Sequence, residues 1–473
     1  MLSYALARAA LVGSALCVLA APLAVAASDS ELAEIRNEIN KVREAYQTRI
    51  EALEKRLNDA EAKAQSAQKT AAQAEAAAVG VQSRRSQNSG NPAISLILQG
   101  TYANFSEDPE TRSIAGFVPG GGEFFPGSRG FSLAESELNI AASVDPYFRG
   151  LFTAALTPED EIEIEEAWIQ SLSLGAGFTA KAGRFFSGIG YLNEIHQHAF
   201  DFVDFPLAYQ AFLGGNYSDD GVQLRWLAPT DLFIEVGTEA GRGRAFPASD
   251  RNKNGAASGA VFVHVGDDLG ISHSYRAGLS YLHTAPRERS FDDTDSLGNP
   301  VVNAFRGNSR LWLADLVYKY APDGNAQVKN FKLQGEYFWR HESGELGFDD
   351  SAGSAQFGAL RDAYAARQSG WYVQGVYQFM PRWRAGVRYD RLDSGNAVIG
   401  LVQNGAVPGD NFPLLVTGKN PQRASAMLDF SPSEFSRLRL QYARDESRPD
   451  GVTDDQIILQ YIMSLGAHGA HRF

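Results

Sequence analysis

The sequence predicts an all-β protein: an antiparallel transmembrane β-barrel of about sixteen strands, preceded by an α-helical coiled coil. Three observations predict it. After residue 92, apolar and polar residues alternate with period two in runs of about ten. Tight turns and long polar loops join those runs by turns. Ahead of them lies an unbroken 3-4 apolar repeat.

The totals set bounds. The chain has 473 residues, 46 of them glycine, and a net charge of −13. Phosphate binding needs clustered Lys and Arg, so this balance argues against a nucleic-acid partner. No stretch after residue 27 supplies the 18 apolar residues of a membrane helix. A barrel escapes that test, because only alternate residues of each strand face lipid.

Residues 1–26 read as a signal peptide: Arg8, the apolar run Ala9 to Leu19, then Ala24-Val25-Ala26 as the cleavage site. The mature chain is expected to begin near Ala27. Cys17, the sole cysteine, falls inside this segment and follows Leu16, where lipidation wants a small residue. The mature chain therefore has no disulfide and no thiolate ligand or nucleophile.

Residues 27–79 read as a periplasmic coiled coil. Leu32, Ile35, Ile39, Val42 and Tyr46 step by three and four; after one stutter the series resumes at Ile50, Leu53, Leu57 and Ala60. Alanines then carry the seam to Ala78. At 1.5 Å per residue such a helix extends roughly 70 Å. A single amphipathic helix lying on another surface is the other reading. Residues 80–92, GVQSRRSQNSGNP, form a breaker-rich linker.

Residues 93–473 read as the barrel. In the stretch after Arg382, Trp383, Ala385, Val387 and Tyr389 share one face, with Arg384, Arg388 and Asp390 on the other. Leu438, Leu440 and Tyr442 likewise oppose Arg437, Arg439 and Gln441. Soluble sandwiches alternate too, but their strands usually run about five or six residues. Tight turns are expected at Asp145-Pro146, Gly175-Ala176, Pro229-Thr230, Asp267-Asp268, Pro322 to Asn325, Met380-Pro381 and Pro432-Ser433. The other connections are Ser106–Gly130, Thr157–Asp160, Ser187–Asp220, Gly241–Ser258, Thr284–Asn308, Glu342–Arg367, Ser394–Gln422 and Ser447–Val452. Both termini then lie on the turn side, which places the coil in the periplasm.

With its leader, coil, sixteen strands and terminal Phe473, the chain resembles the porins of the Gram-negative outer membrane, nearest the phosphate-selective porin O and P type and coil-bearing sugar porins. Two segments, AGRFFSGIGYLNEIHQHAFDFVD from Ala182 and QYIMSLGAHGAHRF from Gln460, are similar to outer-membrane proteins that carry the label of zinc-regulated, TonB-dependent receptors. That second resemblance implies a link to zinc supply. TonB-dependent transport implies 22 strands around a plug, for which residues 93–473 are too short.

The resemblance makes Ser187–Asp220 the third long loop, which in porins folds into the lumen and sets what passes. The expected function is passive diffusion of small polar or charged solutes, in a homotrimer embedded in outer-membrane lipid. Arg384, Arg388, Arg437 and Arg439 are the candidate basic wall of the constriction, with Glu194, Asp201 and Asp204 on the loop. A second reading is metal uptake, with His196, His198, Glu194 and Asp201 as zinc ligands; otherwise no cofactor is expected. It requires an extended segment, since a helix would turn the two rings apart. A third is an envelope tether, the coil engaging peptidoglycan or periplasmic proteins. No nucleophile motif such as G-x-S-x-G appears, and no enzyme activity is expected.

Overall fold

The computed structural model describes residues 92–118, 120, 127–158, 161–249, 252–415 and 417–466, with Lys41, Glu44 and Gln47. The leader, nearly all of the coil, most of the linker, His468, His471 and Phe473 lie outside the described residues. Lys41, Glu44 and Gln47 are helical and exposed. The chain divides into two units, Met1–Ser89 and Gly90–Phe473, and every described strand belongs to the second.

Eighteen strand segments are described. The first nine are β1 (Ala93–Phe105), β2 (Gly130–Leu133), β3 (Ser136–Ser143), β4 (Phe148–Leu156), β5 (Ile162–Ser171), β6 (Phe178–Phe186), β7 (Ser218–Leu227), β8 (Phe233–Gly241) and β9 (Ser258–Leu269). The others are β10 (His273–Thr284), β11 (Arg289–Thr294), β12 (Pro300–Tyr320), β13 (Asn330–Asp349), β14 (Ala359–Met380), β15 (Trp383–Ile399), β16 (Gln422–Ser433), β17 (Ser436–Asp445) and β18 (Asp454–Gly466). β2 and β3 both pair with β1 and share one wall position. β11 folds back on the far end of β12, from Arg289↔Phe305 to Thr294↔Pro300, beyond the part of β12 that pairs with β10. The wall is therefore sixteen strands, all antiparallel. It closes between β1 and β18, Ser95↔Gly466 through Phe105↔Gln456.

Alternation sets which side each residue faces. On β18, Ile457, Leu459, Tyr461 and Leu465 are exposed on the outside, while Gln456 and Gln460 are buried inside. β17 repeats the pattern, with Leu438, Leu440 and Tyr442 out and Arg439 and Gln441 in.

Several expected boundaries move, among them the start of β7 at Ser218, the end of β14 at Met380 and the end of β15 at Ile399. Asp267 and Asp268 belong to β9, and the chain turns at Gly270–Ser272. β16 runs through Ser433, past the turn expected at Pro432-Ser433. The connections expected at Thr284–Asn308 and Glu342–Arg367 are largely strand. β12 to β15 have 21, 20, 22 and 17 residues, well over the 9–11 that span a bilayer. In their far ends the strict apolar–polar alternation fails, as at Glu342, Ser343, Gly344 and Glu345, so period alone did not mark these stretches as strand.

The inside of the barrel holds an apolar core. Residues 187–217 fold inward, and Leu192, Phe205, Leu207, Tyr209, Phe212 and Leu213 pack against wall residues Leu282, Leu311, Leu313, Phe338, Tyr372 and Leu392. The ring of Phe212 stacks on Phe338 at 5.6 Å, and Tyr209 meets Phe338 edge-on at 5.2 Å. Phe117, from the loop after β1, joins the same core.

Candidate functional site

β6 ends at Phe186 and β7 begins at Ser218, and the chain between them is stapled at its neck. The Asn193 amide donates to the carbonyls of Ser187 (2.8 Å) and Tyr217 (3.0 Å), and its Oδ1 accepts from Tyr217 N (2.6 Å). Ser187 Oγ and Gly188 N donate to Glu239 on β8, at 2.6 and 2.8 Å. The helix Leu207–Leu213 begins after Pro206 and ends at Gly214, whose φ of +71° suits glycine. Every residue of that helix is buried.

One wall carboxylate holds both halves of the loop. Glu336 on β13 accepts from Tyr191 N (3.2 Å), Leu192 N (3.1 Å) and Tyr209 Oη (3.0 Å), and from Tyr372 Oη on β14 (2.6 Å). Gly190 beside it has φ +68°, and a side chain there would meet Glu336, Leu313 and Tyr209.

The seven expected constriction residues all meet across the loop-to-wall seam. Arg384 donates to Asp201 at 3.0 Å and to Asp429 at 2.6 Å, and Lys332 also pairs with Asp201. Arg388 donates to Asp204 Oδ1 at 2.7 Å and to its carbonyl at 2.8 Å. Arg437 and Arg439 donate to the Phe200 carbonyl at 3.2 and 2.7 Å. Glu194 is held by Arg225 on β7. Burial opposes charge on Asp201 and Asp204. Lys332 and Arg384 outweigh it at Asp201, and Arg388 and Arg423 at Asp204, so both lie below the usual carboxylate range. The arginines thus fasten the loop. Arg384, Glu194 and Asp201 also line a cavity, whereas Arg388, Arg437, Arg439 and Asp204 do not.

That cavity, of about 1020 Å³, runs from the loop to the tight-turn ends of the barrel, where Gly177, Asp231, Asp267 and Asp268 line it. Lys181, Arg276, Lys319 and Lys332 face it along with Glu166, Glu194, Asp201 and Glu235. Both signs of charge therefore border one space.

His196 and His198 line it too. His196 has an extended backbone (φ −68°, ψ 148°) and His198 lies in the short turn Gln197–Ala199. Their rings stack at 5.8 Å, on the same side. Their neighbours are wall glutamates. Glu137 on β3 lies 2.6 Å from His198 Nδ1 and 3.3 Å from His196 Nδ1. Glu165 lies 3.2 Å from His196 Nδ1, and Glu166 3.1 Å from its Nε2. Burial disfavours charge on His196, yet these carboxylates raise its pKa well above the ordinary histidine value. The structure brings the two histidines together but not the acids expected beside them, since Glu194 and Asp201 are engaged by Arg225, Lys332 and Arg384.

A β-bulge puts Glu165 and Glu166 there. Thr153 on β4 pairs with Glu166 and Ala154 with Ile164, leaving Glu165 as the extra residue. Strict alternation sends Glu161, Glu163 and Glu165 inward and Glu166 outward; the bulge turns Glu166 in as well. Adjacent acids, Glu165-Glu166, in an alternating run were the available signal.

No family model matches the chain. It is 28% identical over 421 residues to an uncharacterized protein of Aquifex aeolicus (strain VF5), covering 82% of this chain and 81% of that one. Among solved structures it is similar to a loop-deletion mutant of OmpT, an outer membrane protein of Vibrio cholerae (TM-score 0.47, 10% identity, 80% of this chain and 100% of that chain). It is also similar to the outer membrane channel DcaP of Acinetobacter baumannii (0.47, 12%, 79% and 97%) and to Pseudomonas putida OprB (0.47, 14%, 82% and 96%). The chain forms a closed antiparallel barrel with residues 187–217 folded inside, and that rests on its own strand pairing and core packing.

Proposed function

We propose that the protein is a porin-like channel of the Gram-negative outer membrane, passing small polar or charged solutes by diffusion. The observation that carries this is the two-sided wall. Large apolar side chains lie exposed around the outside, as lipid contact demands, while the inside is lined with charge and encloses a polar cavity. Residues 187–217 act as the constriction. A field between Lys181, Arg276, Lys319 and Lys332 and the facing carboxylates favours hydrated polar solutes over apolar ones. Because the loop buries an apolar cluster across the lumen, a small conductance is expected. Self-association as a homotrimer, with the coil of residues 27–79 in the periplasm, belongs to the same reading.

Planar-bilayer recording of the purified, folded protein tests it. Small steps in groups of three support a trimeric channel. Absence of conductance from protein that is folded by its heat-dependent migration would sink the channel reading and favour the envelope tether. The tether by itself predicts an envelope defect when residues 30–79 are deleted.

A further inference from the structure

The geometry points to a divalent transition-metal site built by His196 on the loop with Glu137 and Glu165 on the wall, where a bound ion clasps the constriction loop. It rests on the channel reading only in calling that loop a constriction.

The donor atoms are already gathered. One ligand atom each from Glu137, Glu165 and His196 lies within 4.8 Å of the other two, close to what a single ion needs. Glu166 caps the other nitrogen of the His196 ring at 3.1 Å, as outer partners of metal-bound histidines do. His198 lies against the second oxygen of Glu137 at 2.6 Å. The set is more than an acidic cluster, because two stacked imidazoles enter it from a separate chain segment.

An independent observation points the same way. Glu135, in the break between β2 and β3 and two residues from Glu137, has a buried Oε1 with no hydrogen-bond partner among the described residues. A buried acceptor left unsatisfied in this corner is a further oxygen that a bound ion or its water could engage.

Mixed imidazole and carboxylate donors suit zinc, or iron or manganese in the divalent state, over calcium or magnesium, which take all-oxygen sets. The histidines line the cavity, so an ion reaches the site from the tight-turn end. Since His196 comes from the loop and the glutamates from β3 and β5, binding would restrain residues 192–200 against the wall.

The test uses the full-length protein in detergent, stripped with chelator and titrated with Co²⁺, then with Zn²⁺ in competition. Saturable binding of one Co²⁺ per chain is expected, with the intense visible absorption of a four- or five-coordinate ion. His196→Ala and Glu137→Gln are each expected to weaken it at least tenfold, and His283→Ala, far from the cluster, to leave it unchanged. Zn²⁺ should slow hydrogen exchange of residues 192–200 in the parent and not in His196→Ala. Heat-dependent migration on gels checks that each variant is folded. No saturable binding, or binding unaltered by both cluster variants, overturns the inference. Conductance recorded on the same samples separates the two claims: current without an ion site leaves the channel reading standing, and an ion site without current leaves the inference standing.

Discussion

Arg388 grips Asp204 by two bonds, one to the carboxylate at 2.7 Å and one to the backbone carbonyl at 2.8 Å. The two residues are 184 positions apart, and their side chains are 1% and 0% exposed. The wall thus holds the loop by its backbone as well as by its charge.

The two residues should therefore be energetically coupled. Arg388→Leu leaves Asp204 buried with less compensation, a loss of about 3–5 kcal/mol for a broken buried pair. The double variant Arg388→Leu/Asp204→Leu should be less damaging than the sum of the singles. Unfolding of the detergent-solubilised barrel in urea measures both, and equal additive losses would refute the coupling.

Phe212→Ala should hollow out the lumenal core. Truncating a buried aromatic costs about 3–5 kcal/mol, and here the space appears beside Phe338 and Phe117. Single-channel recording should show larger or noisier steps than the parent.

Gly190→Ala should displace the neck of the loop. At φ +68° a Cβ costs roughly 1–2 kcal/mol, and it also presses on Glu336 and Tyr209. Faster hydrogen exchange at Tyr191 and Leu192 is the expected readout.

Neutralising Arg276 and Lys319, two cations of the cavity, should tilt selectivity toward cations. Reversal potentials under a salt gradient measure this. No shift for the double glutamine variant would mean that the cavity is not on the conducting path.

The β11 hairpin should loosen as pH rises. Burial pushes the Asp293 carboxyl up to about 6, against the opposing backbone N–H groups of Thr294 and Leu414. A raised folded-state pKa gives stability that is complete below the unfolded value of about 3.9 and is lost as pH rises through 6. Hydrogen exchange across residues 289–305 should quicken between pH 4 and 7, and Asp293→Asn should flatten that dependence.

The wall was legible in the sequence because its two faces differ, apolar outside and polar inside. Leu438, Arg439 and Leu440 declare their facing by period alone, and sixteen wall strands follow from counting such runs. The interior was less legible. That Glu194 would meet Arg225, or Asp201 meet Arg384 and Lys332, depends on how residues 187–217 cross the lumen, and no local periodicity encodes a path that long-range pairs fix. The histidines stood out by spacing. Their partners on β3 and β5 did not, because one inserted residue at Glu165 rephases the strand and recruits Glu166 to the inside.

The cavity occupies one end of the lumen, and the loop and its packed helix occupy the middle. A solute coming from the tight-turn side can dwell in a charged chamber before it meets the barrier. One coming from the long-loop side meets the barrier first and the chamber afterwards. On the channel reading, the path is therefore asymmetric about its barrier. Current carried by an ion that binds the chamber should accordingly rectify, and reversing the protein's orientation in the bilayer should reverse the sense of that rectification.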